Sequence, residues 1–147
     1  MKFLWLLIVF ICGALLPLQG GLNARFGKSI DSPIYASMFT FIVGAIAVCI
    51  YLQFTKETVT WAGLKSASLS SWIGGGLTGA IFITGTMLAI PRIGMALTFG
   101  LVVAGQMVVA VLLDHFDILV AEQHSINIWR LAGIILIILG VVIVKKF

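Results

Sequence analysis

Two amide side chains, Gln19 and Asn23, lie inside the first long apolar stretch of the chain. Because they are four positions apart, both project from the same face of a helix. An amide in lipid is costly unless it contacts a partner helix or a watery cavity. The pair therefore indicates a membrane helix that either hydrogen-bonds to its neighbours or lines a path for a polar solute, and the residues alone leave both readings open.

Four further residues could take part in such a path. Thr98 and Gln106 lie in a later apolar stretch, Gln106 close to its middle, and we expect both to line the path. Arg25 and Arg92 lie at the ends of apolar stretches. Arginine at a membrane boundary either snorkels to phosphate headgroups or points inward to a substrate, where it would set the charge preference.

Three of the five acids and both histidines of the chain lie between Asp114 and His124, with His115, Asp117 and Glu122 between those two. Their spacing matches no established metal-ligand pattern, so we expect neither a metal nor another cofactor. Asp114 lies at the end of an apolar segment, where the negative end of a helix disfavours an anion. We therefore regard it as a candidate for coupling transport to a proton.

The composition requires a bilayer as the solvent of this fold. Of the 147 residues, 61% are hydrophobic and only 10% charged, too few charges to cover a soluble domain of this size. The net charge of +4 does not indicate nucleic-acid binding, because Lys and Arg lie at segment ends and form no basic run with aromatics. No serine, cysteine or histidine is paired with a base at readable spacing, so we do not expect an enzyme.

Five apolar segments predict an all-α integral membrane protein with a single transmembrane domain over residues 1–147. Ser32 before Pro33 predicts a capped start for the second helix, and Pro91 to Gly94 a tight joint at which proline ends the third. The polar connection before the third helix has room for a short interfacial helix. We expect the first segment to stay in place and not be cleaved as a signal peptide. The predicted spans are residues 3–26, 33–54, 71–90, 95–113 and 128–144.

The charges and the last segment predict how the chain assembles. Lys and Arg are divided almost evenly between the two sides of a five-span chain, which leaves the orientation undetermined. We therefore expect dual topology and a ten-helix antiparallel homodimer, the rival being one orientation with an oppositely inserted partner. Gly133 and Gly140, seven residues apart on one face, predict the dimer-packing surface.

Three stretches, GALLPLQGGLNARFGKSI, IPRIGMALTFGLVVAGQ and LLDHF, resemble the YdcZ family of small five-helix bacterial proteins in the drug/metabolite transporter superfamily. The last helix, GIILIILGV, is similar to the dimerisation helix of the small multidrug resistance proteins. The resemblance implies a multi-pass transporter of the bacterial inner membrane that works as an antiparallel pair. The small multidrug resistance proteins carry a glutamate in their first helix, whereas this chain has only Gln19 and Asn23 there.

These observations together predict a small-molecule transporter with alternating access. A path with amides, threonine and arginine but without a carboxylate suits a neutral, zwitterionic or anionic substrate better than a simple cation. The expected partners are the lipid bilayer, a second inverted copy or an oppositely oriented paralogue, and the substrate. The alternative is a non-transporting or lipid-head-group-moving membrane subunit that works with a partner protein.

Overall fold

Six helices make up the computed structural model, which describes residues 2–55, 57–119 and 124–147. Five of them are long and apolar enough to cross a membrane. No strand occurs within those ranges, so the predicted all-α fold with five spans is confirmed. The helices are α1 Lys2–Ser29, α2 Pro33–Phe54, the short α3 Trp61–Ser66, α4 Leu69–Ile93, α5 Met95–Phe116 and α6 Ile128–Lys146.

The turn between α1 and α2 follows from its residues. Asp31 takes a left-handed conformation with φ of 52°, which aspartate tolerates better than most side chains. Ser32 then caps α2, as predicted, and its hydroxyl accepts a hydrogen bond from the backbone N–H of Tyr35 at 3.4 Å. Pro33 occupies the first helical position, where its missing N–H costs nothing.

The prediction that Pro91 ends its helix is wrong, since α4 continues to Ile93. A proline removes only one backbone hydrogen bond from the helix, and the Arg92 guanidinium donates to the carbonyl of Leu88 in the same turn, at 2.7 Å. The chain turns instead at Gly94, whose φ of 81° and ψ of 161° lie in a region that is essentially restricted to glycine.

The chain forms two compact units, one up to Arg92 and one from Ile93 onward. In the first unit α1 and α2 pack as a hairpin. Helix α4 joins it through Met87, whose sulfur lies 3.3 Å from the hydroxyl of Ser37, and through Thr84, whose hydroxyl donates to Ser37 at 2.9 Å.

Gly27 lies at the centre of this three-helix contact. A Cβ atom added there would lie 3.1 Å from the Met87 methyl, 3.2 Å from Pro33 Cα and 3.6 Å from Ala36 Cβ. Ala36 and Met87 are themselves almost fully buried. The absence of a side chain at Gly27 therefore lets α1 approach both α2 and α4.

In the second unit α5 and α6 pack as a hairpin with its own small core. Phe99, Ala104 and Val111 of α5 and Ile134 of α6 are buried there. A Cβ at Gly100 would lie 3.1 Å from a methyl of Val141, so this glycine lets Val141 of α6 pack closely against α5. Most other apolar side chains of both units are exposed, as lipid-facing side chains are.

Candidate substrate groove

An open groove of about 500 Å³ runs along the first unit between α1 and α2. It brings Gln19 and Asn23 together on one wall, as their spacing predicts. Apart from these amides and one hydroxyl, the lining is apolar. The lining residues are Gln19, Asn23, Phe26, Phe39, Thr40, Val43 and Gly44.

Asn23 is held across the groove by α2. The hydroxyl of Thr40 donates to Asn23 Oδ1 at 3.0 Å, and the same hydroxyl oxygen lies 2.9 Å from the backbone carbonyl of Ala36. Both side chains are half-buried. The amide therefore has one end engaged by protein, and its nitrogen is the end left for another partner.

Gln19 is the more available of the two amides. Its side chain is exposed and forms no hydrogen bond with any described residue. A second open groove, of about 430 Å³ and lined otherwise by leucines of α1, also borders on Gln19 and Asn23. The two amides thus form a polar strip that both grooves share.

The rest of the groove lining is apolar. The rings of Phe26 and Phe39 lie 6.1 Å apart with a 58° tilt, a favourable arrangement for an aromatic pair. Gly44 is exposed, and a Cβ added there would meet nothing within 4 Å. The groove can therefore accept an apolar body beside the two amides.

Arg25 and Arg92 lie toward the same end of the first unit, because nearby Gly27 and Met87 are in contact. Both arginines are exposed, and neither forms an ion pair within the described part of the chain. Arg92 donates to the Leu88 carbonyl of its own helix at 2.7 Å. Two positive charges thus lie at one end of the unit that carries the groove.

The second unit carries the remaining predicted path residues. Thr98 is 3% exposed, and its hydroxyl donates to the Gly94 carbonyl at 2.6 Å, so it bonds within its own helix. Gln106 is exposed on α5 and forms no hydrogen bond with a described residue. An exposed amide in the middle of a span is unfavourable in lipid unless a polar group or water reaches it.

Asp114 has a partner within its own unit. Arg130 Nη1 lies 3.1 Å from Asp114 Oδ2 and donates to the His124 carbonyl at 3.1 Å. The backbone N–H of His124 in turn donates to the Asp114 carbonyl at 3.2 Å. These bonds join the two ends of the α5–α6 connection, in which Glu122 lies outside the described residues.

Gly133 and Gly140 have no close neighbour among the described residues. A Cβ added at either position would meet nothing within 4 Å. This differs from Gly27 and Gly100, where neighbouring atoms come close. The face of α6 that carries these two glycines is left open by the described residues.

The match to a known family covers nearly the whole chain. Residues 4–143 match the family model described as "Putative inner membrane exporter, YdcZ". The chain belongs to the YdcZ family. This membership and the five spans make it a multi-pass inner-membrane protein and a membrane transporter, in a family of transporters rather than enzymes. No curated protein and no solved structure matches the chain.

The groove of this YdcZ-family protein includes a polar residue, Thr40, that the sequence alone does not connect with the two amides. In the structure its hydroxyl forms a hydrogen bond with Asn23. The position of the α1–α2 loop could have indicated this pairing. Gly27 of α1 faces Ala36 of α2 next to the loop. Four residues further from the loop on each helix, Asn23 faces Thr40.

Proposed function

We propose that this YdcZ-family protein is a carrier of small metabolites whose substrate binds in the groove between α1 and α2. The observation that carries the proposal is the pair of amides, Gln19 and Asn23, in an open groove that is otherwise mostly apolar. Because polar groups in a membrane interior are costly, their placement beside an open space favours a role in binding. The family description supports export as the direction.

We further propose that the substrate is neutral, zwitterionic or anionic. The groove residues include no carboxylate to attract a simple cation. Amides bind neutral and charged polar groups alike by hydrogen bonds. Arg25 and Arg92, at one end of the same unit, would favour a negative charge there.

We further propose that polar groups of the second unit take part in transport. The proposed path residues in that unit are Thr98 and Gln106. Gln106 is the better-supported candidate of the two, because its mid-span amide is exposed. Asp114, which forms an ion pair with Arg130 at 3.1 Å, is the proposed coupling residue.

The working assembly that we propose is an antiparallel homodimer with ten spans. The even distribution of Lys and Arg supports dual topology, although Lys56 in that tally lies outside the described residues. The open face at Gly133 and Gly140 is suited to close approach by a second copy. Two inverted copies provide the inverted repeat on which alternating access depends in larger transporters.

The transport proposal is tested by substrate-induced currents and tracer uptake in proteoliposomes. The panel consists of carboxylates, amino acids and quaternary ammonium ions. We expect saturable transport from the first two classes and loss of it in Gln19→Leu and Asn23→Leu. Gln53→Leu, which removes an amide from α2 outside this groove, is the matched control. Transport of organic cations alone would contradict the proposed charge preference.

The dual-topology proposal is tested by sidedness. Cys12 and Cys49 are replaced by alanine, one cysteine is placed after Phe147, and intact cells are labelled with an impermeant reagent. We expect about half of the population to react, with the rest reacting only after permeabilisation. Labelling of all or none of the chains would mean a single orientation and a separate, oppositely inserted partner.

A further inference from the structure

Thr40 has one hydroxyl proton and two oxygen atoms within reach. Asn23 Oδ1 lies 3.0 Å and the Ala36 carbonyl 2.9 Å from its hydroxyl oxygen. In an α-helix the carbonyl of residue 36 already accepts the backbone N–H of residue 40. The Asn23 oxygen accepts no other hydrogen bond from the described residues, whereas the Ala36 carbonyl already accepts one, so we assign the hydroxyl proton of Thr40 to Asn23 Oδ1.

We propose that Thr40 is a positioning residue that sets the ligand specificity of the groove by fixing the orientation of the Asn23 amide. This inference rests on the proposed function of the groove. With its hydroxyl proton on Oδ1, Thr40 holds the amide oxygen against α2 and leaves the two N–H donors of Nδ2 for a ligand.

The consequence is a preference among ligands of the same shape. A ligand with an acceptor, such as a carboxylate or a carbonyl, pairs with the free N–H groups of Asn23. A ligand with only donors, such as an ammonium, would face those N–H groups and be disfavoured. If the amide were rotated by half a turn, Nδ2 would donate to Thr40 and the preference would reverse.

The chain contains only two asparagines, Asn23 and Asn127, which permits a direct test. Protein labelled with ¹⁵N-asparagine in neutral-detergent micelles gives two side-chain NH₂ signals. Asn127 caps α6 and accepts from the Arg130 N–H at 2.9 Å, so its signal serves as an internal reference for folding. The probes are benzoate and benzylammonium, which share one aromatic body and differ in the polar group.

We expect benzoate to shift the Asn23 signal saturably and benzylammonium to bind more weakly. Thr40→Val, which keeps the shape and removes the hydroxyl, should reduce the benzoate preference roughly fivefold, as the loss of one neutral hydrogen bond does. Thr40→Ser should restore the preference. Stronger binding of benzylammonium, or an unchanged preference in Thr40→Val, would overturn the proposal.

A measurement without any probe decides the orientation separately. If Thr40 donates to Oδ1, the Asn23 Nδ2 protons exchange with water at a rate that Thr40→Val leaves unchanged. Slow exchange that Thr40→Val accelerates would mean that Nδ2 is bonded to Thr40, which would overturn the assigned orientation. If neither probe binds the wild-type protein, the groove function fails, whereas binding with an unchanged preference in Thr40→Val overturns only the role of Thr40.

Discussion

Gly27→Ala should weaken the joint that holds α1, α2 and α4 together. The new Cβ would lie 3.1 Å from the Met87 methyl and 3.2 Å from Pro33 Cα, whereas unstrained carbon contacts are about 3.5–4.0 Å. Met87 has a flexible side chain that can move. Pro33 Cα is backbone in the first turn of α2, next to the Ser32 cap, so relief there requires the helices to separate.

The magnitude follows from two opposing effects. Overpacking of this kind lowers the free energy of unfolding by about 1–3 kcal/mol, whereas replacing a helical glycine by alanine raises it by about 1 kcal/mol. Gly85→Ala is the matched control, because it lies in α4 and its Cβ would meet nothing within 4 Å. Since both variants share the helix-propensity gain, Gly27→Ala should be less stable than Gly85→Ala by about 1–3 kcal/mol.

The assay is reversible unfolding in mixed micelles by increasing the fraction of SDS, followed by circular dichroism for the wild-type protein and both variants. The free energies of unfolding are compared at one micelle composition. If Gly27→Ala is as stable as Gly85→Ala, the close approach at Gly27 does not hold the three helices together, and the reasoning about this joint is refuted.

Three further predictions concern transport. Gly44→Leu should abolish flux without loss of stability, because its Cβ would meet nothing within 4 Å and its longer side chain would fill part of the groove, whereas Gly85→Leu should retain flux; equal flux in both would exclude the groove as the path. Gln106→Leu should lose flux while the proposed dimer persists on size-exclusion chromatography, and dissociation or misfolding would instead assign this amide a structural role. Asp114→Asn should keep a hydrogen bond to Arg130 and make flux independent of an imposed pH gradient. If flux through this variant responds to the gradient as flux through the wild-type protein does, Asp114 is not the coupling residue.

The features that sequence reasoning predicted correctly depend on local chemistry. The five spans follow from length and apolar composition, and the Ser32 cap follows from a hydroxyl placed before a proline. The common face of Gln19 and Asn23 follows from helical periodicity alone. None of these requires knowledge of which helix packs against which.

The features that were missed depend on contacts distant in sequence. The partner of Asn23 is Thr40, and that pairing is set by the register of the hairpin, which the length of the turn decides. Likewise Thr84 joins α4 to Ser37 of α2, although most threonines of a membrane helix bond within their own helix. The end of α4 was placed too early because a proline in the last turn removes only one hydrogen bond.

The passage from α4 to α5 takes place at one residue. Helical geometry extends to Ile93 on one side and resumes at Met95 on the other, so any reorientation of these helices that leaves both intact falls on the torsions of Gly94. Helix α5 has 22 residues and is therefore about 33 Å long. A rotation of about 10° at Gly94 would therefore displace the far end of α5 by roughly 6 Å.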